Sequence, residues 1–402
     1  MFYWFFPALK PKVKNPPLII WLQGGPGASS MIGLFYETGP IHVTEDLKLM
    51  RNNNTWANEY SMLFVEQPVG TGYSFVNQNA MYTKSGYVKD QRAVVRDMLV
   101  FLDLFYERYP EQQKADLYIA GQSYAGKFIP SIAHAIMERN RKIKSKLPQS
   151  ARGGAVIPIK GISMGNSMTD PITQIQIHAD HAFYLGLLTT LQADQMREYQ
   201  RNAVKLVEQG RFLDANRFRG KIFNLFRNST GQLNTFDIRK GSHGTNWKPM
   251  TALLNRHEIK DSLNVFGPRK TYLLQQKVKQ AMRGDIMRST KPLVADLLDN
   301  GIKVLAYQGI FDFRDAPAGS TRWIEEMEWK GREEFGKTER RVWKVGGFTA
   351  GYVNSVMEKG KEGGGGLTRV VVLGGGHYTP MDESENSLVM IRHLIDGIPL
   401  EG

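Results

Sequence analysis

Three residues with the chemistry of nucleophilic catalysis occur along the sequence in the order serine, acid, histidine. Ser123 lies in the run GQSYA (121–125), which is similar to G-x-S-x-G with alanine at its last position, and Asp312 and His377 follow it. In this chemistry Ser123 attacks a carbonyl carbon and His377 takes and returns the proton. Asp312 orients the imidazole and stabilises its charged form. Asp315, which follows Asp312 closely, is the main alternative for the acid.

Each of these residues follows a short apolar run that predicts a β-strand. The runs are LYIAG, VLAYQG and VVVLGGG. Because a parallel sheet gathers the carboxyl ends of its strands at one edge, we expect the three side chains to meet in space. Taken singly, each residue has an ordinary explanation: a turn for the serine, a loop for the histidine and a helix cap for the aspartate. Their shared order and position favour a catalytic site.

The glycine-rich run WLQGGPGASS (21–30) is a candidate for the other half of such a site. A serine nucleophile needs backbone N–H donors that stabilise the oxyanion formed at the attacked carbonyl. One donor is the amide of Tyr124, directly after the nucleophile. The second is expected from this run, where Gly24 and Gly25 allow the backbone to approach a substrate closely. The alternative interpretation of the run is an ordinary Gly-Pro turn.

The segments around these residues predict an α/β fold. The runs LIIWLQ, SMLFVEQP and IKGISMG predict strands, and DQRAVVRDMLVFLDLFYERYP predicts a helix, since its apolar residues recur at three- and four-residue steps. Strands and helices alternate over residues 1–175 and again over 291–402. This alternation predicts a core with a mostly parallel central sheet and helices on both faces. Residues 176–290 contain polar-rich runs that predict helices, MREYQRNAVKLVEQGRF and YLLQQKVKQAM (272–282), and we expect this segment to form a helical cap insertion.

Composition narrows the classes of function. The chain has 402 residues and no cysteine, which excludes disulfides, cysteine catalysis and thiolate metal sites. The net charge of +13 is spread along the chain without a nucleic-acid-binding motif, so we expect a basic soluble surface and no nucleic-acid partner. No apolar stretch of about 18 residues is present, so no membrane span is expected. For His178 and His181, a solvated helix face is favoured over a metal site, because no third ligand is evident.

Several runs together resemble those of the serine carboxypeptidases, most closely the vitellogenic carboxypeptidase-like branch. They extend from residue 1 to about 395 and are MFYWFFPA, PLIIWLQGGPGASSMIGLFYETGP, EQPVGTGYSF, YIAGQSYAGKFIP, GISMGNSMTDP, VLAYQGIFDFRDA and GGGHYTPMD. The resemblance implies an α/β-hydrolase fold and a serine-type carboxypeptidase that removes C-terminal residues from peptides or proteins through an acyl-enzyme. It implies activity at acidic pH, with no metal and no cofactor. It places the triad at Ser123, Asp312 and His377, and the oxyanion amides on Gly25 and Tyr124.

The same resemblance implies a clamp for the terminal carboxylate of the substrate. Its positions hold Gln23, Glu37 and Gln122, and Tyr36 and Tyr378 match positions that line the pocket for the terminal side chain. The family has a glutamate where this chain has Gln122. Because two close carboxyl groups cannot both ionise cheaply, a two-glutamate clamp ties binding to acid pH, whereas glutamine donates its NH2 group at any pH. We therefore expect peptidase activity to persist further toward neutral pH.

Alternatives of function and location stay open at this stage. The same triad could serve an esterase or an acyltransferase, or the chain could be a catalytically idle member that acts as a binding protein. The resemblance implies a secreted or lysosomal/vacuolar glycoprotein, and Asn53 and Asn228 stand in N-x-S/T sequons. The N-terminal run is not a signal peptide, so we expect a chain truncated at its N-terminus, or a cytosolic protein if the chain is complete. The oligomeric state is left open.

Overall fold

The computed structural model describes residues 1–75, 86–146, 156–265, 270–357 and 365–401 of the chain. Its strands are β1 (Tyr3–Phe6), β2 (Leu18–Leu22), β3 (Ile41–Val43), β4 (Leu49–Arg51), β5 (Ser61–Val65), β6 (Leu117–Gln122), β7 (Ile159–Gly165), β8 (Lys303–Gly309), β9 (Arg341–Val345), β10 (Phe348–Met357) and β11 (Gly366–Val372). Nine of them form one sheet in the order β1-β5-β2-β6-β7-β8-β11-β10-β9, while β3 and β4 form a separate hairpin.

The centre of this sheet is parallel and its two edges are antiparallel. Strands β5, β2, β6, β7, β8 and β11 are neighbours in that order, and each pair runs parallel. Strand β1 pairs antiparallel with β5 at one edge, and β10 and β9 pair antiparallel at the other. The prediction of a mostly parallel sheet is confirmed. The carboxyl ends of β6, β8 and β11, which precede the three candidate catalytic residues, therefore lie at one edge.

Helices surround the sheet. They are α1 (Gln91–Arg108), α2 (Ala125–Lys146), α3 (Pro171–Ile175), α4 (His178–Tyr184), α5 (Thr190–Glu208), α6 (Phe212–Ser229), α7 (Lys248–Leu254), α8 (His257–Ser262), α9 (Gln276–Ala281), α10 (Lys291–Asp299), α11 (Pro317–Glu325), α12 (Arg332–Gly336), α13 (Thr379–Asp382) and α14 (Ser384–Asp396). The helix predicted from the DQRAVV run is α1, which Asp90 caps by accepting the N–H of Ala93. Within the described part of the chain, no helix is long and apolar enough to cross a membrane.

Strand β2 shows how the sheet separates two apolar cores. Its side chains point alternately to opposite faces. Leu18, Ile20 and Leu22 belong to one core, which includes the apolar faces of α1 and α2. Ile19 and Trp21 belong to the other, which includes the buried face of α14. All five side chains are fully buried, as expected for a central parallel strand covered on both faces.

The predicted cap segment, 176–290, holds helices α4 to α9 and no strand among its described residues. A helix predicted over 272–282 is wrong for its first four residues, since α9 begins at Gln276. The reason is a backbone contact with the glycine-rich run: Ser29 N donates to Leu273 O at 3.0 Å, and Gln275 N donates to Gly27 O at 2.8 Å. The division into core and cap stays a prediction.

Two antiparallel hairpins have no counterpart among the predicted strands. They are β3 with β4 and β9 with β10. Strand β9 is mostly exposed, and in β10 exposed and half-buried positions interrupt the buried ones, so neither gives the continuous apolar run that marks the central strands. The second hairpin extends the sheet beyond β11, on the side away from the nucleophile.

Candidate active site

Ser123 lies on the turn between β6 and α2. It has a φ of +63°, the left-handed conformation of a nucleophile on a sharp strand-to-helix turn. Two hydrogen bonds tie this turn to the neighbouring strand end: Ser123 N donates to Gly165 O at 3.0 Å, and Met168 N donates to Ser123 O at 2.9 Å. The strained serine is therefore held from both sides. This is the turn that the run GQSYA predicts.

Glycines on either side of the turn explain why alanine is accepted at the end of that run. A Cβ on Gly121 would lie 2.0 Å from the carbonyl oxygen of Leu22 and 3.2 Å from the Cβ of Ala125. A Cβ on Gly126 would lie 2.6 Å from the Cβ of Ser167. Gly121 leaves the space that the methyl group of Ala125 fills, and Gly126 supplies the close approach to the next loop.

His377 and Asp312 form a buried pair. The distance between His377 Nδ1 and Asp312 Oδ2 is 2.7 Å, and the two residues are 2% and 0% exposed. The other carboxylate oxygen, Oδ1, accepts the backbone N–H groups of Arg314 at 2.8 Å and Asp315 at 3.3 Å. Since Nδ1 is occupied, Nε2 is the ring atom left to exchange a proton. Among the described residues, Nε2 has no hydrogen-bond partner, so no hydrogen bond joins it to Ser123.

Asp315 is placed less well to act as the acid. Its Oδ2 lies 3.9 Å from His377 Nδ1 and has no hydrogen-bond partner within the described ranges. Burial, together with the neighbouring charge of Asp312, raises the pKa of Asp315. A carboxyl group with a raised pKa ionises less readily and so stabilises an imidazolium less well. The geometry therefore favours Asp312.

Asn166 belongs to the site, although sequence reasoning did not single it out. It directly follows β7, and its Nδ2 donates to Asp312 Oδ2 at 2.9 Å. Its Oδ1 accepts Thr379 Oγ1 at 2.7 Å and Gly309 N at 3.3 Å. Asn166 thus joins the ends of β7 and β8 to the start of α13. The available signal was an asparagine directly after a predicted strand, at the same sheet edge as the triad.

Two backbone amides beside Ser123 are free to donate. Within the described ranges, neither Gly25 N nor Tyr124 N has an acceptor. A Cβ on Gly24 would lie 2.4 Å from Tyr124 N and 2.8 Å from the Cβ of Ser123, so only glycine lets the two turns come this close. Gly25 has a φ of +110°, which other residues adopt rarely. Both features agree with the oxyanion hole predicted from the run WLQGGPGASS.

A buried carboxyl group and two hydroxyls hold the glycine-rich run in place. Ser29 Oγ donates to Glu66 Oε1, and Glu66 Oε2 accepts the N–H of Tyr73 at 3.1 Å. Ser30 Oγ donates to the carbonyl of Val65 at 2.6 Å. Burial raises the pKa of Glu66 to about 7. The run is therefore fixed to the end of β5 by a group that changes charge near neutral pH.

The three predicted clamp residues form one hydrogen-bonded cluster. Glu37 Oε1 accepts Gln23 Nε2 at 3.4 Å and Gln122 Nε2 at 3.1 Å. Trp21 Nε1 donates to Gln23 Oε1 at 2.9 Å, which fixes that amide with its NH2 group toward Glu37. Burial raises the pKa of Glu37 well above its ordinary range, and Asp382 acts in the same direction. Glu37 Oε2 has no partner in the described part of the chain, so a protonated Glu37 keeps a donor to spare.

Ser123, His377 and Gln23 all line one cavity with a volume of about 470 Å³. Strand ends of the core supply one wall of this cavity, and residues of the predicted cap segment supply the other. Glu37 and Gln122 do not line it and are 1% and 0% exposed. The structure thus brings nucleophile, base and one clamp residue to a common space, with the other clamp residues directly behind Gln23.

Aromatic side chains line the cavity on the side of Glu37, the buried acid of the clamp. Tyr378 lines the cavity, whereas Tyr36 does not. Trp247 joins them: its ring centroid lies 5.0 Å from that of Tyr36 and 4.9 Å from that of Tyr378. Trp247 lines the cavity, and sequence reasoning did not single it out because it lies in the cap segment, far from every catalytic motif.

The expected solvated face for His178 and His181 is wrong for His178. Its side chain is 3% exposed and packs between the rings of Phe223 and Phe313, with centroid distances of 5.2 and 5.3 Å. Both ring nitrogens lie close to backbone carbonyls, at 3.2 and 3.1 Å. Burial lowers the pKa of His178 to about 4. The reason is tertiary: α4 is covered by α5 and α6, so its face is inside the protein.

The two sequon asparagines, Asn53 and Asn228, are both exposed. Asn53 precedes the turn that Thr55 caps, and Asn228 lies in the last turn of α6. Exposure is what a glycan requires, and glycosylation itself stays a prediction.

The sheet, the nucleophile turn after β6 and the His377–Asp312 pair at the same edge define a hydrolase of the α/β-hydrolase fold. A solved structure shares this fold over nearly the whole chain: the prohormone-processing carboxypeptidase Kex1 of Saccharomyces cerevisiae. The TM-score is 0.83, with 25% identity over 99% of this chain and 86% of that one. The serine carboxypeptidase family matches residues 1–397. The chain therefore belongs to the serine carboxypeptidase family and is a serine-type carboxypeptidase that acts on peptides, which confirms the expectation from the motifs.

Relatives from distant organisms agree with this assignment. The chain is 34% identical to the probable serine carboxypeptidase CPVL of Dictyostelium discoideum, over 99% of this chain and 76% of the relative. It is 33% identical to the venom serine carboxypeptidase of Apis mellifera, over 98% and 80%. It is 31% identical to the probable serine carboxypeptidase CPVL of Homo sapiens, over 99% and 80%.

Proposed function

We propose that Ser123, His377 and Asp312 carry out the hydrolysis, so that the enzyme releases C-terminal residues from peptides and proteins through an acyl-enzyme. The observation that supports this most is the 2.7 Å pair of His377 and Asp312, which shares one cavity with Ser123. The remaining positions of the site agree with this chemistry and supply its two other requirements, an oxyanion hole and a grip on the free C-terminus.

The reaction begins at Ser123. Asp312 holds the Nδ1–H of His377, so Nε2 accepts the proton of Ser123 Oγ as that oxygen attacks the scissile carbonyl carbon. The amides of Gly25 and Tyr124 stabilise the oxyanion. His377 then donates its proton to the leaving amine of the terminal amino acid, which departs and leaves an ester on Ser123. Water, deprotonated by His377, attacks this ester and releases the shortened peptide.

A grip on the terminal carboxylate makes the enzyme an exopeptidase. The NH2 group of Gln23, which lines the cavity, is a donor, and a protonated Glu37 directly behind it is a second donor, so no positive charge is needed. Gln122 donates to Oε1 of Glu37 and so fixes the orientation of that carboxyl group. When Glu37 ionises, its charge repels the substrate carboxylate and binding weakens. Since Gln122 cannot ionise, the site carries one repelling group fewer than a two-glutamate clamp.

For location, the proposal is a secreted or lysosomal/vacuolar enzyme. Its support is the clamp, which requires a protonated carboxyl group, and the exposure of both sequons. Digestion of the native protein with an N-glycosidase tests this. A mobility shift at Asn53 or Asn228 is expected, and unmodified asparagines at both positions favour a cytosolic enzyme.

Labelling with a fluorophosphonate, followed by peptide mapping, tests the catalytic assignment. The reagent is expected to modify Ser123 in the wild type and nothing in Ser123→Ala. Ser242→Ala is the matched control, because Ser242 also lines the cavity but has no part in the chemistry. A folded wild-type protein that is not labelled supports an idle binding protein. Labelling with hydrolysis of acyl esters but not of peptides supports an esterase or acyltransferase.

A further inference from the structure

Three basic side chains on the cavity wall have no acidic partner among the residues that the structure describes. Arg227, Lys279 and Arg314, here called the cationic wall, line the same cavity as Ser123 and are half-buried. In the part of the chain that the structure describes, none of them lies within ion-pair distance of a carboxylate. Among the described residues, the one hydrogen bond that these side chains make joins Arg227 Nη2 to Asn224 Oδ1, a neutral group. The wall therefore presents net positive charge to whatever fills the cavity.

The acidic residues of the cavity do not neutralise this charge. Asp237 pairs with Arg239 at 2.8 Å and with Lys240 at 3.4 Å. Asp382 pairs with Lys240 at 3.1 Å. Asp315 makes no ion pair with Arg314, and burial raises the pKa of Asp315, which disfavours its charged form. The acidic side chains that could offset the wall are thus already paired or less readily ionised.

Aromatic rings hold Arg314, one member of the wall, in place. The guanidinium carbon of Arg314 lies 4.7 Å from the ring centroid of Phe223 and 5.2 Å from that of Phe236. Arg219 lies on the same ring of Phe223, at 4.8 Å, and adds a further positive charge behind the wall. Burial lowers the pKa of Lys279, and the nearby arginines act in the same direction. Like charges gathered in this way repel one another, and a bound anion relieves that repulsion.

The position of the wall relative to the clamp indicates which part of a substrate it meets. Trp247 and Tyr378 lie on the side of Glu37, where the terminal residue binds in the proposed function. Phe236 lies between the two regions, with its centroid 5.9 Å from that of Tyr378 and 5.2 Å from the guanidinium of Arg314. A peptide with its terminal residue at Tyr378 and its scissile carbonyl at Ser123 therefore extends its preceding residue toward Arg314.

We infer that Arg227, Lys279 and Arg314 form a subsite for an acidic side chain on the penultimate residue of the substrate, so that the enzyme prefers peptides ending in Glu-X or Asp-X. The inference rests on the proposed function for the place of the terminal residue. It deepens that function by naming a substrate class. If the cationic wall only attracted the free C-terminal carboxylate, it would raise kcat/KM equally for all peptides.

Matched N-acetyl dipeptides test the preference at pH 6 and low salt. The kcat/KM for acetyl-Glu-Phe is expected to exceed that for acetyl-Gln-Phe by about tenfold, the size that a charge-assisted hydrogen bond supports. No such preference is expected between acetyl-Phe-Glu and acetyl-Phe-Gln. Lys279→Gln and Arg314→Gln should each reduce the Glu/Gln ratio severalfold. Lys277→Gln is the matched control, since Lys277 lies on the same helix, is exposed and does not line the cavity.

Binding to Ser123→Ala separates failure of this inference from failure of the proposed function. Calorimetry on this variant measures the Kd of the same acetyl-Glu-Phe and acetyl-Gln-Phe without turnover. A tighter Kd for the glutamate peptide, lost in Lys279→Gln, supports the subsite even if no peptide is cleaved. Equal affinities overturn the subsite, while hydrolysis of acetyl-Gln-Phe by the wild type leaves the proposed function intact.

Discussion

The Nδ1 atom of His377 lies 2.7 Å from Oδ2 of Asp312, in a buried pair at the wall of the cavity. Asp315, separated from Asp312 by two residues, lies 3.9 Å from the same nitrogen and has fewer hydrogen bonds. Spacing in the sequence leaves both acids as candidates. The difference comes from the loop after β8, which turns two backbone N–H groups toward Asp312 and leaves Oδ2 of Asp315 without a donor in the described part of the chain.

Asn substitution of each acid gives the first prediction. Asp312→Asn removes the acceptor that fixes the His377 tautomer, and kcat on an N-blocked dipeptide should fall by about 10³–10⁴-fold. Asp315→Asn changes a carboxyl group that lies 3.9 Å from His377 Nδ1, too far for a hydrogen bond, and kcat should fall by less than about tenfold. Equal losses in the two variants would show that the assignment of the acid is wrong.

Asn166 should affect catalysis through Asp312. Asn166→Ala removes one donor to the carboxylate, and a hydrogen bond to a charged group is worth about 1.5–3 kcal/mol. We expect kcat to fall by about ten- to a hundredfold with little change in KM. Asn300→Ala, which removes an exposed amide that bonds Asp296, is the control and should leave kcat unchanged. A rise in KM with normal kcat would point to a role in substrate binding instead.

The absence of a side chain at Gly24 should be essential for catalysis. In Gly24→Ala the new methyl group lies 2.4 Å from Tyr124 N unless the turn shifts, so the oxyanion amide is displaced. The loss of an oxyanion donor predicts a fall in kcat of at least about a hundredfold. Gly284→Ala has nothing within 4 Å of the new atom and should retain full activity. Thermal unfolding of both variants separates a damaged site from a damaged fold.

The clamp predicts how KM changes with pH. Glu37 has a raised pKa, so it is a neutral donor at low pH, and KM should rise as pH passes through that pKa and the group ionises. Glu37→Gln should give a flatter KM profile. Gln122→Glu adds a second titrating group, so its KM should begin to rise at lower pH than in the wild type. Identical KM profiles for the wild type and Gln122→Glu would contradict this explanation of the glutamine at position 122.

Glu66 predicts how stability changes with pH. Its pKa is about 7 in the folded protein against an ordinary 4.5, so between these values only the folded state keeps the proton. Its contribution to the free energy of unfolding therefore falls as pH rises through this window, by on the order of 2–3 kcal/mol. Urea unfolding at pH 5 and pH 8 should show a smaller difference for Glu66→Gln than for the wild type. An unchanged difference would mean that Glu66 does not titrate as described.

The sequence predicts the core of the site because strand ends carry it. LYIAG, VLAYQG and VVVLGGG are buried on both sides of a parallel sheet, so their apolar runs are continuous, and the residues after them must meet at one edge. Asn166 follows the same rule but carries no catalytic chemistry of its own, so its type gave no signal. Trp247 lies in the cap segment, where helical periodicity says nothing about which helix faces the cavity.

Other misses arise where tertiary contacts override local pattern. The segment 272–275 looks helical, yet its backbone bonds the glycine-rich run instead. His178 lies on a polar-looking helix that α5 and α6 cover. The cationic wall combines residues from α6, α9 and the loop after β8, and no spacing in the sequence indicates that these three segments converge.

The central claim is that Ser123 cleaves next to a recognised free C-terminus. The most direct measurement compares hydrolysis of an N-acetyl dipeptide with that of its C-terminal amide, by the wild type and by Ser123→Ala. We predict release of the terminal amino acid from the free acid, cleavage of the amide that is slower by at least about a hundredfold, and no activity in Ser123→Ala. Equal cleavage of the amide, or activity that survives in Ser123→Ala, would contradict the account.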